Sequence, residues 1–454
     1  MSGICVIIEY RENSNQGSVY WRDWMKEELT SREKRRRRRI RNQIIAYVVS
    51  GCFLTLIAVG GIFGVRAAMN GVTAYNDKVS NALAEAENMS QEVQTEDATV
   101  VDESQEVALT QQPENDALDE LVNALLQEMT LEEKVAGMFL VTPESITGVS
   151  KVIQAGEGTK TALTENPVGG ILYTEKNFKS EEQFLEMLSN TRAYAKYPLF
   201  LAVQRECGDV STFGIAATQK ATEFSSSDDV ATVYTSIAEA LAGYGINMNL
   251  APVADVVSQE GNVDLQGRTF GSDATAAAPL VDAAVQALQE KEISAVLTKF
   301  PGEGSVDTGK GFTITKSLEE LKNSEFLTYE RAIKNGVDCI MVSNVSAPEV
   351  TGDETPCSMS SVIIQDTLRN TLGFQGIVMT DMLNAEVVTS KYSDSEAAVS
   401  AILAGADVLL APADYYKAYE GVIQAVENGT ITEERIQESL VRIYSVKYKH
   451  ALDQ

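Results

Sequence analysis

One histidine, His450, is all that 454 residues contain, and that scarcity narrows the chemistry before any motif is read. A zinc site is not expected. The five cysteines, Cys5, Cys52, Cys207, Cys339 and Cys357, show no CxxC spacing and have almost no histidine to join them. We expect no metal and no cofactor. Basic charge is scarce as well. Thirty-seven Lys and Arg stand against 65 Asp and Glu, a formal net charge of −28. That balance argues against a nucleic-acid partner, since a phosphate backbone needs a basic footprint. The cysteines read as buried thiols, with a disulfide among Cys207, Cys339 and Cys357 as the alternative.

The basic charge that exists gathers in one place, Lys34-Arg35-Arg36-Arg37-Arg38-Arg39. Just beyond it lies IIAYVVSGCFLTLIAVGGIFGV, Ile44 to Val65, with no charged residue. Its length suits a helix crossing ~30 Å of hydrocarbon. Basic residues stay on the cytoplasmic side of a membrane. Residues 1–43 therefore read as a cytoplasmic tail, 44–65 as a single transmembrane helix, and everything after as extracytoplasmic, at the cell membrane. A cleaved signal peptide is the alternative, but the polar stretch before the run is long and the run exceeds a signal's apolar core. Residues 66–115 are rich in Glu, Asp, Gln, Ser and Thr. They read as an acidic flexible stalk, with too little apolar surface to offset the entropy of ordering.

From Asp116 the pattern changes, and 116–454 reads as one domain. Leu118, Leu121, Val122 and Leu125 share one face of an opening helix. Thr130, with Glu133 three residues on, has the spacing of a capping box. Eight apolar runs then recur between helical segments: 136–141, 169–174, 198–203, 246–253, 293–300, 337–345, 376–383 and 406–412. Nearly continuous apolar runs suit parallel strands covered on both faces. The expected fold class is α/β, a (β/α)8 TIM-type barrel, with a doubly wound open sheet as the alternative. Either fold puts its ligand site at the strand C-terminal ends. Polar residues cluster there: Gln204, Arg205 and Glu206 after the third run, Asp255 after the fourth, Lys299, Glu303 and Asp307 around the end of the fifth, Asn344 at the sixth and Asp381 at the seventh. Such a ring suits a polar substrate.

Four stretches carry a resemblance: GINMNLAPVADV (Gly245–Val256), GRTFGSD (Gly267–Asp273), FPGEG (Phe300–Gly304) and LGFQGIVMTDML (Leu372–Leu383). In that order, each at or near a strand end, they resemble the single-domain bacterial β-N-acetylhexosaminidases of glycoside hydrolase family 3. The resemblance implies that Asp381 is a nucleophile forming a glycosyl-enzyme intermediate. An aspartate capping the following helix is the alternative. It implies that Arg268 binds sugar, with an ion pair to Asp264 or Asp273 as the alternative. It gives Asp255 a structural role in holding loops at the barrel top.

The departures are as informative. Gln204 stands where the family has an aspartate that binds sugar hydroxyls, and Asn344 where it has a histidine. Thr298 and Lys299 replace a lysine–histidine pair, so Lys299 is placed to reach into the vacated space. Glu303 replaces a further histidine. The family's aspartate–histidine dyad, its proton donor, is reduced to Asp307, with Gly309 where the histidine belongs. A retaining glycosidase needs a second carboxyl ~5–5.5 Å from the nucleophile. Glu303 and Asp307 are the candidates, and Gln204, Glu206, Arg268, Lys299 and Asn344 the expected substrate contacts. Three functions stay open. The first is retaining hydrolysis of N-acetylglucosamine-containing glycans such as cell-wall material. The second is a non-catalytic glycan-binding or scaffolding domain of the envelope. The third is a barrel enzyme using Lys299 as a Schiff-base amine.

Overall fold

A computed structural model describes residues 117–257, 262–306 and 313–449. The segments read from sequence as a cytoplasmic tail (1–43), a transmembrane helix (44–65) and a stalk (66–115), and residues 307–312 with Asp307, all lie outside the described residues. Among the described residues no helix is long and apolar enough to cross a membrane.

Each of the eight apolar runs contains a strand. They are β1 (Phe139–Val141), β2 (Gly170–Leu172), β3 (Phe200–Val203), β4 (Met248–Asn249), β5 (Ser294–Phe300), β6 (Cys339–Val342), β7 (Ile377–Thr380) and β8 (Leu409–Leu410). All pair in parallel, in the order β7-β6-β5-β4-β3-β2-β1-β8. The order is sequential and never reverses, so the doubly wound sheet is ruled out. A parallel bridge between Met379 and Val408 brings the two remaining edges together. The Thr380 N–H donates to the Val408 carbonyl at 3.0 Å and the Asp407 N–H to Val378 at 2.7 Å. The result is a nearly closed α/β barrel of TIM type.

Local signals explain the helices around it. Thr130 and Glu133 exchange reciprocal hydrogen bonds at the start of helix Leu131–Gly137, the capping box expected from their spacing. Ser317 with Glu320 and Ser393 with Glu396 repeat the device. In the opening helix, residues 117–128, Val122 and Leu126 are fully buried, while Leu118, Leu121 and Leu125 pack partly buried against the core. Cys207, Cys339 and Cys357 are buried free thiols. Burial raises the Cys207 thiol to about 11, so it stays protonated and inert.

Candidate active site

The rim at the C-terminal ends of β4 to β7 is built around Asp255. Its buried carboxylate accepts the backbone N–H of Lys299 at 2.9 Å and the backbone N–H of Glu303. One side chain from the β4 end thus fixes both ends of the loop leaving β5. Two glycines let that loop lie so close. Gly302 has φ +122°, a conformation unfavourable for any other residue, and a Cβ on Gly304 would overlap the Val256 carbonyl. Asn262 holds the Glu303 carbonyl at 2.6 Å. The Thr298–Lys299 and Phe300–Pro301 peptide bonds are cis. Burial, then the Glu303 charge, pushes Asp255 up to about 7, against the two N–H groups that favour its ionised form.

This framework brings three of the expected residues together. The Lys299 ammonium lies 2.9 Å from Asp381 Oδ2 and 3.7 Å from Glu303 Oε1. Those two distances bound how far apart the two carboxylate oxygens can be, and the ~5–5.5 Å spacing of a retaining pair falls inside the bound. The other Asp381 oxygen, Oδ1, accepts the Met382 N–H at 2.8 Å. Ser343, at the end of β6, donates its hydroxyl to Glu303 Oε1. Burial and the nearby Asp381 charge raise Glu303 above the usual carboxylate range, outweighing Lys299 and Ser343. Burial opposes the Lys299 charge, but Asp381 and Glu303 overcome it and hold the ammonium above the ordinary lysine value.

A second group stands beside this one. Arg268 makes a two-pronged ion pair with Glu206, Nε to Oε2 at 2.7 Å and Nη2 to Oε1 at 2.6 Å. Gln204 Nε2 donates to the same Glu206 at 2.9 Å. Arg268 reaches Asp264 only through its backbone carbonyl, at 3.0 Å, and Asp273 is occupied as the N-cap of helix Ala274–Gln289. Its partner is therefore Glu206, not either aspartate considered from sequence. Two oxygens in register with a planar fork make the better match. Arg205, beside them in sequence, is buried and spends its guanidinium on the Ala216 and Glu206 carbonyls. Asn344 is buried too. Its amide donates to the Met382 carbonyl at 2.8 Å and accepts from Ser358 Oγ at 2.6 Å, so it braces the backbone that carries Asp381.

Residues 130–446 match the glycosyl hydrolase family 3 N-terminal domain. The chain belongs to glycosyl hydrolase family 3. An uncharacterized secreted glycosyl hydrolase of Arthroderma benhamiae is 28% identical over 303 residues, 63% of this chain and 86% of the relative. A β-N-acetylglucosaminidase/β-glucosidase of Cellulomonas fimi is 27% identical over 342 residues, 72% of this chain and 59% of the relative. The solved structure of a family 3 β-N-acetylglucosaminidase from Paenibacillus superposes with a TM-score of 0.67 at 29% identity, over 72% of this chain and 64% of that one. The chain thus spans well under two thirds of the Cellulomonas relative.

The rim is tied to itself, Lys299 to Asp381 and Glu303, and Arg268 and Gln204 to Glu206. Sequence reasoning missed Ser343 and Asn262 as supports of Glu303. Ser343 adjoins Asn344 at a strand end, and that position was the available signal. Asn262 lies far from Glu303 in sequence and gave none.

Proposed function

We propose that the domain is a β-N-acetylhexosaminidase-like retaining glycoside hydrolase, with Asp381 as nucleophile and Glu303 as acid and base. Its substrate is a carbohydrate of the N-acetylglucosamine-containing class. The observation that carries this reading is the pair of carboxylates at one barrel rim, Asp381 and Glu303, joined through Lys299. Glu303 is held toward its protonated form, as an acid should be. An Asp381 oxygen bonds to the anomeric carbon as the glycosidic C–O bond breaks. The bonding pair leaves with the aglycone oxygen, which takes the Glu303 proton. Water then gives a proton back to Glu303 and its oxygen to the anomeric carbon, releasing Asp381. The β-hexosaminidase A of Pseudoalteromonas piscicida and the Paenibacillus enzyme support the choice of sugar.

The basic run and uncharged segment before the domain support its attachment to the cell membrane by one helix, N-terminus cytoplasmic and barrel outside. One observation favours a second reading, a non-catalytic glycan-binding domain: the ion pair that already occupies Asp381. The test is covalent trapping. The full-length chain is treated with a 5-fluoro N-acetylglucosaminyl fluoride and followed by intact mass. An adduct on the wild type and none on Asp381→Ala is the expected result. No adduct on a folded wild-type chain would leave the binding reading standing.

A further inference from the structure

We propose that Lys299 is a brake on this site: its ion pair to Asp381 is a resting contact that substrate must displace, and its charge opposes glycosyl transfer. The proposal rests on the hydrolase reading above and deepens it.

Both Asp381 oxygens have a donor in the resting chain, the Met382 N–H on Oδ1 and the Lys299 ammonium on Oδ2. The N–H lies in the backbone and stays. The ammonium sits on the oxygen that is otherwise available to attack. Its position also matters for the transition state. Glycosyl transfer builds positive charge on the sugar ring next to the nucleophile. A second full positive charge, 2.9 Å from the same carboxylate, repels it and weakens the nucleophile's attraction for it. Histidine or a neutral side chain at that place would impose no fixed charge.

Among the described residues the ammonium has no harmless place to go. Its other ion-pair partner there is Glu303 Oε1 at 3.7 Å. Moving there favours the ionised form of Glu303, the form that has no proton to give. The third carboxylate nearby, Asp255, is committed to the backbone N–H groups of Lys299 itself and Glu303. Lys299 therefore hinders either of the two described carboxylates it faces, Asp381 or Glu303. It acts through Asp381 and Glu303 and is a positioning residue. A substrate is processed best when its own acceptor groups take the ammonium over.

The experiment compares rates of adduct formation with the 5-fluoro N-acetylglucosaminyl fluoride. In that reaction the Asp381–carbon bond forms as the C–F bond breaks, and fluoride leaves with the electron pair without a proton. Full-length wild type, Lys299→Met and Lys299→Arg are each shown to be folded by thermal melting. Lys299→Met keeps the side-chain length without the charge and is expected to trap about 10- to 100-fold faster. Lys299→Arg keeps the charge and is expected to be no faster than wild type. A purely structural lysine would give no acceleration on removal. If wild type forms adduct and Lys299→Met forms it no faster, the brake is overturned and the hydrolase reading stands. If neither forms adduct, both fall.

Discussion

Asp255 takes two backbone N–H groups of the loop that carries Glu303, and its titration has a readable sign. Its ordinary value is 3.8 and burial raises it to about 7 in the folded chain. Between those values the folded chain holds a proton that the unfolded chain has released. This contribution to stability is therefore fully present below about pH 4 and lost as pH rises through 7. Asp255→Asn cannot titrate. Urea unfolding across pH 4 to 8 should show the wild type losing ground to the variant up to about pH 7, by at most ~1.4 kcal/mol per pH unit, and none beyond pH 8. A difference independent of pH would mean Asp255 is ionised throughout. Glu303 permits a separate test. Glu303→Gln keeps the shape and removes the proton. Turnover of a glycoside with a poor leaving group should fall about 10²–10⁴-fold, while adduct formation from the anomeric fluoride, which needs no acid, should change far less. Because Glu303 is raised, wild-type turnover should decline toward alkaline pH as that proton is lost. Equal losses on both substrates would remove Glu303 from the acid's role.

The ends of β6 and β7 are held to each other by the Asp381 N–H on the Val342 carbonyl at 2.8 Å and by the Asn344 side chain. Asn344 joins the Met382 carbonyl to the Ser358 hydroxyl; without it the buried hydroxyl would lose its acceptor, while the carbonyl would keep the Ala385 N–H at 3.1 Å. Asn344→Ala should cost about 1–3 kcal/mol in urea unfolding. It should also slow trapping at Asp381, one residue before Met382. Loss of stability with trapping unchanged would show that the pairing of β6 with β7 fixes the Asp381 backbone without Asn344. This element also shows how far the sequence could be read. Nearly continuous apolar runs located all eight strands, because burial on both faces leaves little room for alternation. Polar residues at their C-terminal ends located the rim for the same reason. Pairing across the rim was not legible. The choice of Glu206 over Asp264 or Asp273 for Arg268 depends on strand register and side-chain reach between β3 and the loop after β4, which spacing along one chain does not encode. The Lys299–Asp381 contact spans β5 to β7 and was hidden in the same way.

The molecule as a whole depends on closing β7 against β8, and the ladder there is short, since β8 has only two residues. Asp407, just before β8 at the opposite end of the barrel from the site, reinforces that seam. Its fully buried carboxylate accepts the Val378 N–H of β7 at 2.9 Å, Arg369 Nη2 at 2.6 Å, Ser439 Oγ at 2.7 Å and Arg442 Nη1 at 3.0 Å. Arg435 adds a longer contact at 3.6 Å. Arg435, Ser439 and Arg442 come from one face of helix Glu433–Tyr448, and Arg369 from helix Val362–Thr371, so one carboxylate ties two helices to the seam. Burial holds Arg369 and Arg435 below the ordinary arginine value, and the Asp407 charge opposes that shift. Removing that charge strands buried cations, the costly direction in which to break such a cluster. Asp407→Ala should therefore lose about 3–5 kcal/mol of stability in urea unfolding. The folded fraction should still trap the fluorinated donor at the wild-type rate, because the rim is built from β4 to β7 ends that the cluster does not touch. If trapping fell in step with stability even under fully folding conditions, the barrel's two ends would be coupled through the β7–β8 seam, and the rim would owe its geometry to the whole closed sheet and not to Asp255 and its loop.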